Sequence, residues 1–132
     1  MSFMTDIADL LVYAGAGIKG TSIFVGRMPD SPDECVSVMP YQGLPPMYVQ
    51  ERSGPAYQRP SFQVLIRGAR DSTLATEARA AAIHDYLAAV SNQSVNGTFY
   101  LAIRPNAPAF PLTRDGNDRD LWVVNAQAVH RS

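Results

Sequence analysis

Between Phe62 and Val129 the apolar residues change period from two to about 3.6 and back again, and that order restricts the fold more than any other feature of the chain. Phe62, Val64 and Ile66 alternate with Gln63, Leu65 and Arg67, as a half-buried strand requires. Asp71-Ser72-Thr73 then supplies oxygens for capping a helix, and the spacing predicts that helix to run to about Ser91. On its wheel Ala75, Ala78, Ala82, Ile83, Tyr86, Leu87 and Val90 form one broad apolar face, able to approach a sheet closely. Arg79 projects near the middle of that face, so it must snorkel to water, pair with a carboxylate or reach a neighbouring subunit. Beyond the helix the two-residue period returns at Thr98–Arg104 and again at Leu121–Val129, which predicts two further strands.

The first half of the chain is read in the same way. Thr5–Ala14 places Ile7, Leu10, Leu11 and Ala14 at helical spacing, with Thr5 as N-cap, Asp6 and Asp9 near the positive end of the dipole, and Gly15 and Gly17 as the stop. Ser22–Arg27 and Cys35–Met39 read as short strands joined by the stiff turn Met28-Pro29-Asp30-Ser31-Pro32-Asp33. From Pro40 to Pro60 no period survives. Five of the ten prolines fall there, beside Tyr41, Tyr48, Arg52, Tyr57 and Arg59, and this mixture suits a projecting arm that makes contacts. Pro105–Asp120 makes a second long loop. The expected fold is α+β: a mainly antiparallel sheet of about four to five strands, two helices packed on one face, and long projecting loops, all within one domain of 132 residues.

Several functions are disfavoured by composition and spacing. Hydrophobic residues make up 46% and charged residues 17%, enough to fold but poor in charge for a solvated monomer, which leaves room for buried subunit contacts. The net charge of -1 lacks the positive field of a general nucleic-acid binder. Cys35, His84 and His130 do not have zinc-like spacing, and no stretch approaches the roughly 20 apolar residues of a membrane span. The first residues carry two acids and no base, unlike a secretory leader, so a soluble protein made in a cytosol is expected and the two sequons, at Asn92 and Asn96, are read as chance.

Gly15-Ala16-Gly17-Ile18-Lys19-Gly20 matches a dinucleotide fingerprint by letter, but it follows a predicted helix instead of preceding one, and Thr21 stands where a P-loop needs its lysine. No Gly-x-Ser-x-Gly elbow is present, and His84 lies beside an apolar helix face where a packing role outweighs a catalytic one. Asp30, Asp33 and Glu34 do not continue into a calcium-loop pattern. Arg114, Asp115, Asp118, Arg119 and Asp120 suit either a solvated loop or an inter-subunit salt-bridge set. No catalytic residue, cofactor or metal is therefore expected. Contact residues are expected at Tyr48, Arg52, Tyr57 and Arg59, with Arg79, Arg114 and Arg119 as further candidates.

Ile23-Phe24-Val25-Gly26-Arg27-Met28-Pro29-Asp30-Ser31-Pro32-Asp33, followed by Cys35–Met39 and Gly43-Leu44-Pro45-Pro46, resembles the opening of the phage minor capsid and tail-terminator family. Arg59-Pro60-Ser61-Phe62-Gln63-Val64-Leu65-Ile66-Arg67, leading into Glu77-Ala78-Arg79, is similar to that family's central strand and following helix, so the likeness spans roughly residues 5 to 128. The resemblance implies a structural subunit of a homo-oligomeric ring, usually a hexamer, that caps the tail tube, ends its polymerisation and joins head-tail connector proteins. Genomic DNA would pass through the lumen without sequence-specific binding, and no membrane is involved. A connector or stopper on the head side, and a small ligand-binding domain using the Gly15–Ser22 turn, are the alternatives.

Overall fold

The structure, a computed structural model, describes residues 3–41, 47–48, 55–112 and 114–131. Helix α1 (Phe3–Tyr13) begins two residues earlier than its pattern suggested, so Thr5 lies inside the helix and is not its N-cap. It buries Ile7, Ala8, Leu10 and Leu11, and it stops at the glycines as expected. Gly15 has φ 79°, and the amides of Gly15 and Ala16 donate to the carbonyls of Val12 and Leu11, each at 3.0 Å. That left-handed closure ends the helix without a Cβ clash. The Gly15–Gly20 run thus follows the carbonyl end of a helix, the wrong pole for a pyrophosphate.

The remaining elements are β1 (Ile23–Val25), β2 (Cys35–Tyr41), β3 (Met47–Tyr48), β4 (Pro55–Gln58), β5 (Ser61–Arg67), α2 (Thr73–Ala88), β6 (Ser91–Val95), β7 (Thr98–Pro105), β8 (Phe110–Leu112) and β9 (Leu121–Arg131). The fold is α+β, but the sheet is larger than four or five strands and it is mixed, because β1 runs parallel to β2. The segment after Val25 does not turn back as a hairpin. It runs back over the sheet face opposite the helices, where Ser37 and Arg67 donate to its carbonyls, and re-enters beside its starting point, so that Ile23 faces Val36 and Val25 faces Val38.

Strand β9 is the hub. Along one edge it takes β5, from Arg67 opposite Leu121 to Ser61 opposite Gln127, and then β4, with Gln58 opposite His130. These two ladders lie on one line, bridged where the Ala128 amide donates to the Pro60 carbonyl at 2.9 Å. β4 and β5 are therefore one extended strand, and Pro60 breaks its regularity because it has no N–H to give. Along its other edge β9 pairs with β8 and β7. β3 pairs with β4 nearly in line with the β2–β5 ladder, so part of the segment expected to be an irregular arm is strand.

Strands β6 and β7 form a hairpin that period-counting missed. Its turn is Asn96-Gly97, with φ 51° and 83°, between Val95 and Thr98. Two successive positive φ values define the type I′ turn for which Asn-Gly is the favoured pair. The register shifts between Tyr100 and Ala102, and that bulge turns Tyr100 toward the helices.

Helix α2 corrects the predicted apolar face. Thr76, Ala80, Ile83 and Leu87 point inward, while Ala75, Ala78 and Ala82 are exposed. The helix carries apolar residues all round, so its wheel alone could not select the stripe, and contact with the sheet did. It ends at Ala88, short of Ser91, where the chain enters β6. Gly68 permits the close entry of this helix, because a Cβ there would overlap the buried Thr76 hydroxyl.

Both helices lie on one face of the sheet, as expected. Ile7, Leu10, Leu11, Ile83 and Leu87 close over Val36, Val38, Phe62, Val64, Val124 and Ala126 in a single cluster. Cys35 alternates with Val36 and is fully buried on the opposite side, where burial pushes its thiol up. Cys35 should therefore stay unlabelled by a thiol-reactive dye in the native protein and react at the rate of free cysteine in denaturant. Native labelling within minutes would show that this face opens.

Candidate assembly interface

Two polar networks set the shape of the surface. The first joins α1 to the β6–β7 hairpin. The Tyr100 hydroxyl donates to Asp6 Oδ2 at 2.5 Å, and Asn96 Nδ2 donates to Asp6 Oδ1 and to Asp9 Oδ2, each at 2.8 Å. Lys19 Nζ closes the chain onto Asp9 Oδ1 at 2.6 Å. Asp6 is buried in the first turn of α1, so the positive end of the dipole and two donors both hold its carboxylate. Burial, the hydrogen bond to Asp6 and the nearby carboxylate charge push the Tyr100 phenol far above its ordinary range, so it remains a donor.

The second network ties the loops at the other end of the sheet. Arg67, buried at the end of β5, donates from Nε to the Asp33 carbonyl at 2.9 Å and from Nη2 to the Pro29 and Pro32 carbonyls at 2.6 Å. Arg119, also buried, reaches the Asp30 carbonyl and carboxylate at 2.7 Å, Asp115 at 2.8 Å and Asp33 at 3.1 Å. Arg114 Nε bonds Asp120 at 2.9 Å, and its Nη1 lies 3.3 Å from Asp118. The planar forks of these arginines take the place of an apolar core beneath the 26–34 and 114–120 loops. Burial pushes the Asp115 carboxyl up, but hydrogen bonds from the Arg119 and Asn117 amides and the Arg119 guanidinium outweigh it and leave the group lowered. The hydrogen bond from Lys19 and then that from Asn96 lower Asp9.

Folding lowers both carboxyls, so they stabilise the native state above the unfolded carboxylate range, near about 3.9, and lose that contribution as the pH falls through their folded values. Urea midpoints should be flat from pH 7 to 5 and fall below pH 4. Asp9→Asn should reduce that fall, and an unchanged acid slope would remove Asp9 from the account.

Of the seven expected contact residues, the five whose side chains are described do not gather in one place. Arg52 and the Tyr48 side chain lie outside the described residues. Tyr57 and Arg59 are half-buried on the β4–β5 line. Arg79 is half-buried on α2, its Nη1 3.5 Å from the Arg67 carbonyl, beside a cleft of about 190 Å³ lined by Ala14, Gly15, Ala82 and Tyr86. Arg114 is exposed within its own acidic loop, and the Arg119 guanidinium is spent inside the subunit. Arg67, Asn96 and Tyr100 were not singled out from the sequence as site residues. Asn-Gly at 96–97 is a hairpin signal that could have pointed to Asn96 but was read only as a sequon, whereas nothing in the local sequence marks Arg67 as buried.

Among the described residues no group of three or more His, Cys, Asp or Glu could hold a metal ion, and no helix is long and apolar enough to cross a membrane. What the described residues do offer is loops tied from within and exposed apolar side chains at Tyr13, Ile18, Leu74, Phe110 and Leu112. A solved structure of the virion of a native gene transfer agent particle contains a chain with this fold, at a TM-score of 0.74 and 15% identity, over 99% of this chain and 96% of that one. A second solved structure is similar over 98% of this chain and 91% of the other, with a TM-score of 0.52 and 13% identity. No curated protein matches the chain. The family model for the bacteriophage tail terminator protein matches residues 10–130, and the chain belongs to that family. It is a tail-associated structural virion protein.

Proposed function

We propose that the protein closes a homo-oligomeric ring, a hexamer, at the head-proximal end of the tail, where it ends polymerisation of the tail tube protein and offers a joining surface to the head-tail connector. The family match over residues 10–130 carries this reading. The geometry supports it: Arg67 and Arg119 fix the loops from within, so surface is held ready for partners without an ordering cost on assembly. The 132 residues act as one domain, synthesised in the host cytoplasm, and DNA crosses the lumen without sequence-specific contacts. Tyr48, Arg52, Tyr57 and Arg59 contribute to the contacts, with Arg79 and Arg114 at their margins.

Light scattering across a range of concentrations, with negative-stain images in the presence of purified tail tubes, tests the proposal. Rings in solution, or rings only at tube ends, are the expected result. A monomer indifferent to tubes would overturn it, and binding to portal-bearing heads alone would move the ring to the head side.

A further inference from the structure

The two broad faces left uncovered by the fold differ in kind. The first is the outer side of α2. Leu74, Ala78, Ala81, Ala82, Asp85 and Ala89 point away from the sheet, and Leu74 is 79% exposed. A solvent-facing helix ordinarily carries charge on that side, whereas one that is apolar all round is normally buried. The two acids of this helix, Glu77 and Asp85, are exposed, while Arg79 turns back toward the Arg67 carbonyl.

The second is the side of the sheet opposite the helices. The tied loops cover its Arg67 end. Beyond them Met39, Gln63, Leu65, Asn125 and Gln127 are half-buried, Phe110 is 39% exposed and Leu112 40%, and among the described residues no helix packs there. Arg104, opposite Gln127, and Arg131, opposite Tyr57, are exposed on this side. Strands β2, β5, β7, β8 and β9 contain no Asp or Glu at all.

We infer that the outer face of α2 in one subunit packs on the open sheet face of the next copy, with Glu77 and Asp85 toward the Arg104 and Arg131 end. The occupant is a second copy because the two faces complement each other within this one chain. An apolar, acid-bearing helix lacks a sheet, and an acid-free, arginine-bearing sheet lacks its second helical layer. The dimensions agree: sixteen residues make α2 about 24 Å long, and eleven make β9 about 36 Å. Because the two faces are different, the contact is head-to-tail, with no two-fold axis at the interface, and repetition of one rotation closes a ring. This inference rests on the ring reading above and specifies its interface.

The test uses the full chain with Ala78→Arg, which blocks the helix face, and Gln127→Arg, which blocks the sheet face. Each variant should keep the wild-type thermal transition while the ring requires at least tenfold more protein, or is lost. Mixed one to one, they should form a discrete dimer and nothing larger, because only one intact helix face and one intact sheet face remain. If either variant fails to fold, Leu74→Arg and Phe110→Arg block the same two faces at exposed positions. Rings from either folded variant at wild-type concentration would overturn the inference while leaving the ring reading intact. So would a variant that rings normally and loses only its tail tubes, since α2 would then belong to the tube contact. If the wild type never forms rings, with or without tubes, the ring reading itself fails and this interface with it.

Discussion

Tyr100→Phe should lower the unfolding free energy by about 2–4 kcal/mol, although it removes a single oxygen. That oxygen is one of two donors that reach the buried Asp6 carboxylate from the described residues, and the phenyl ring left behind cannot replace it. The cost is the desolvation of a buried carboxylate that has lost a donor, which exceeds the net worth of an ordinary hydrogen bond. For a domain of this size the thermal midpoint should fall by roughly 10 °C. Asp6→Ala should cost a similar amount, because it leaves the Tyr100 hydroxyl and an Asn96 N–H without their acceptor. The double variant should cost less than the two singles added, with a coupling of about 1–3 kcal/mol. Strict additivity would show that the two groups do not act as a unit.

The second large effect is expected at Phe62→Ala, at about 3–5 kcal/mol. Phe62 is fully buried on β5, on the helix side of the sheet, with Pro40 opposite on β2 and Ala126 opposite on β9. The Phe3 ring stands 6.3 Å from it, centroid to centroid. Neighbours on a sheet cannot collapse into the space as a loop could, so most of the cavity should persist. Leu74→Ala, the same kind of truncation at an exposed site, should change the monomer by no more than about 0.5 kcal/mol. Equal effects at the two positions, read from urea midpoints with m unchanged, would mean that the core is not where the structure places it.

Elements with a strong period were legible in the sequence, and those held by something other than period were not. α1, β1, β2, β5, α2, β7 and β9 all announced themselves through alternating or helical spacing. β6 did not, because Ser91, Asn92, Gln93 and Ser94 are exposed and show no alternation. The Asn96-Gly97 turn organises that strand, and read only as part of a glycosylation sequon the pair gave no hint of a hairpin. β8 is three exposed residues and owes its place to β9 alone. The face of α2 was misread because alanine supplies apolar character without direction. The parallel pairing of β1 was hidden because a Pro-rich segment looks the same whether it turns back or crosses over, and buried arginines distant in the chain settle the choice.

The position of β9 also bears on synthesis. Every sheet neighbour that it collects, β4, β5, β7 and β8, is translated before it, and the β1–β2–β5, β3–β4 and β6–β7 pairings cannot be joined into one sheet until Leu121–Arg131 has left the ribosome. The nascent chain therefore waits with its sheet in separate pieces, and folding can complete only after residue 131 emerges. A product of premature termination lacks the strand that joins the two halves, so it presents no finished face to a growing assembly. Quality control over incomplete subunits is thus a property of strand order, requiring no separate checkpoint.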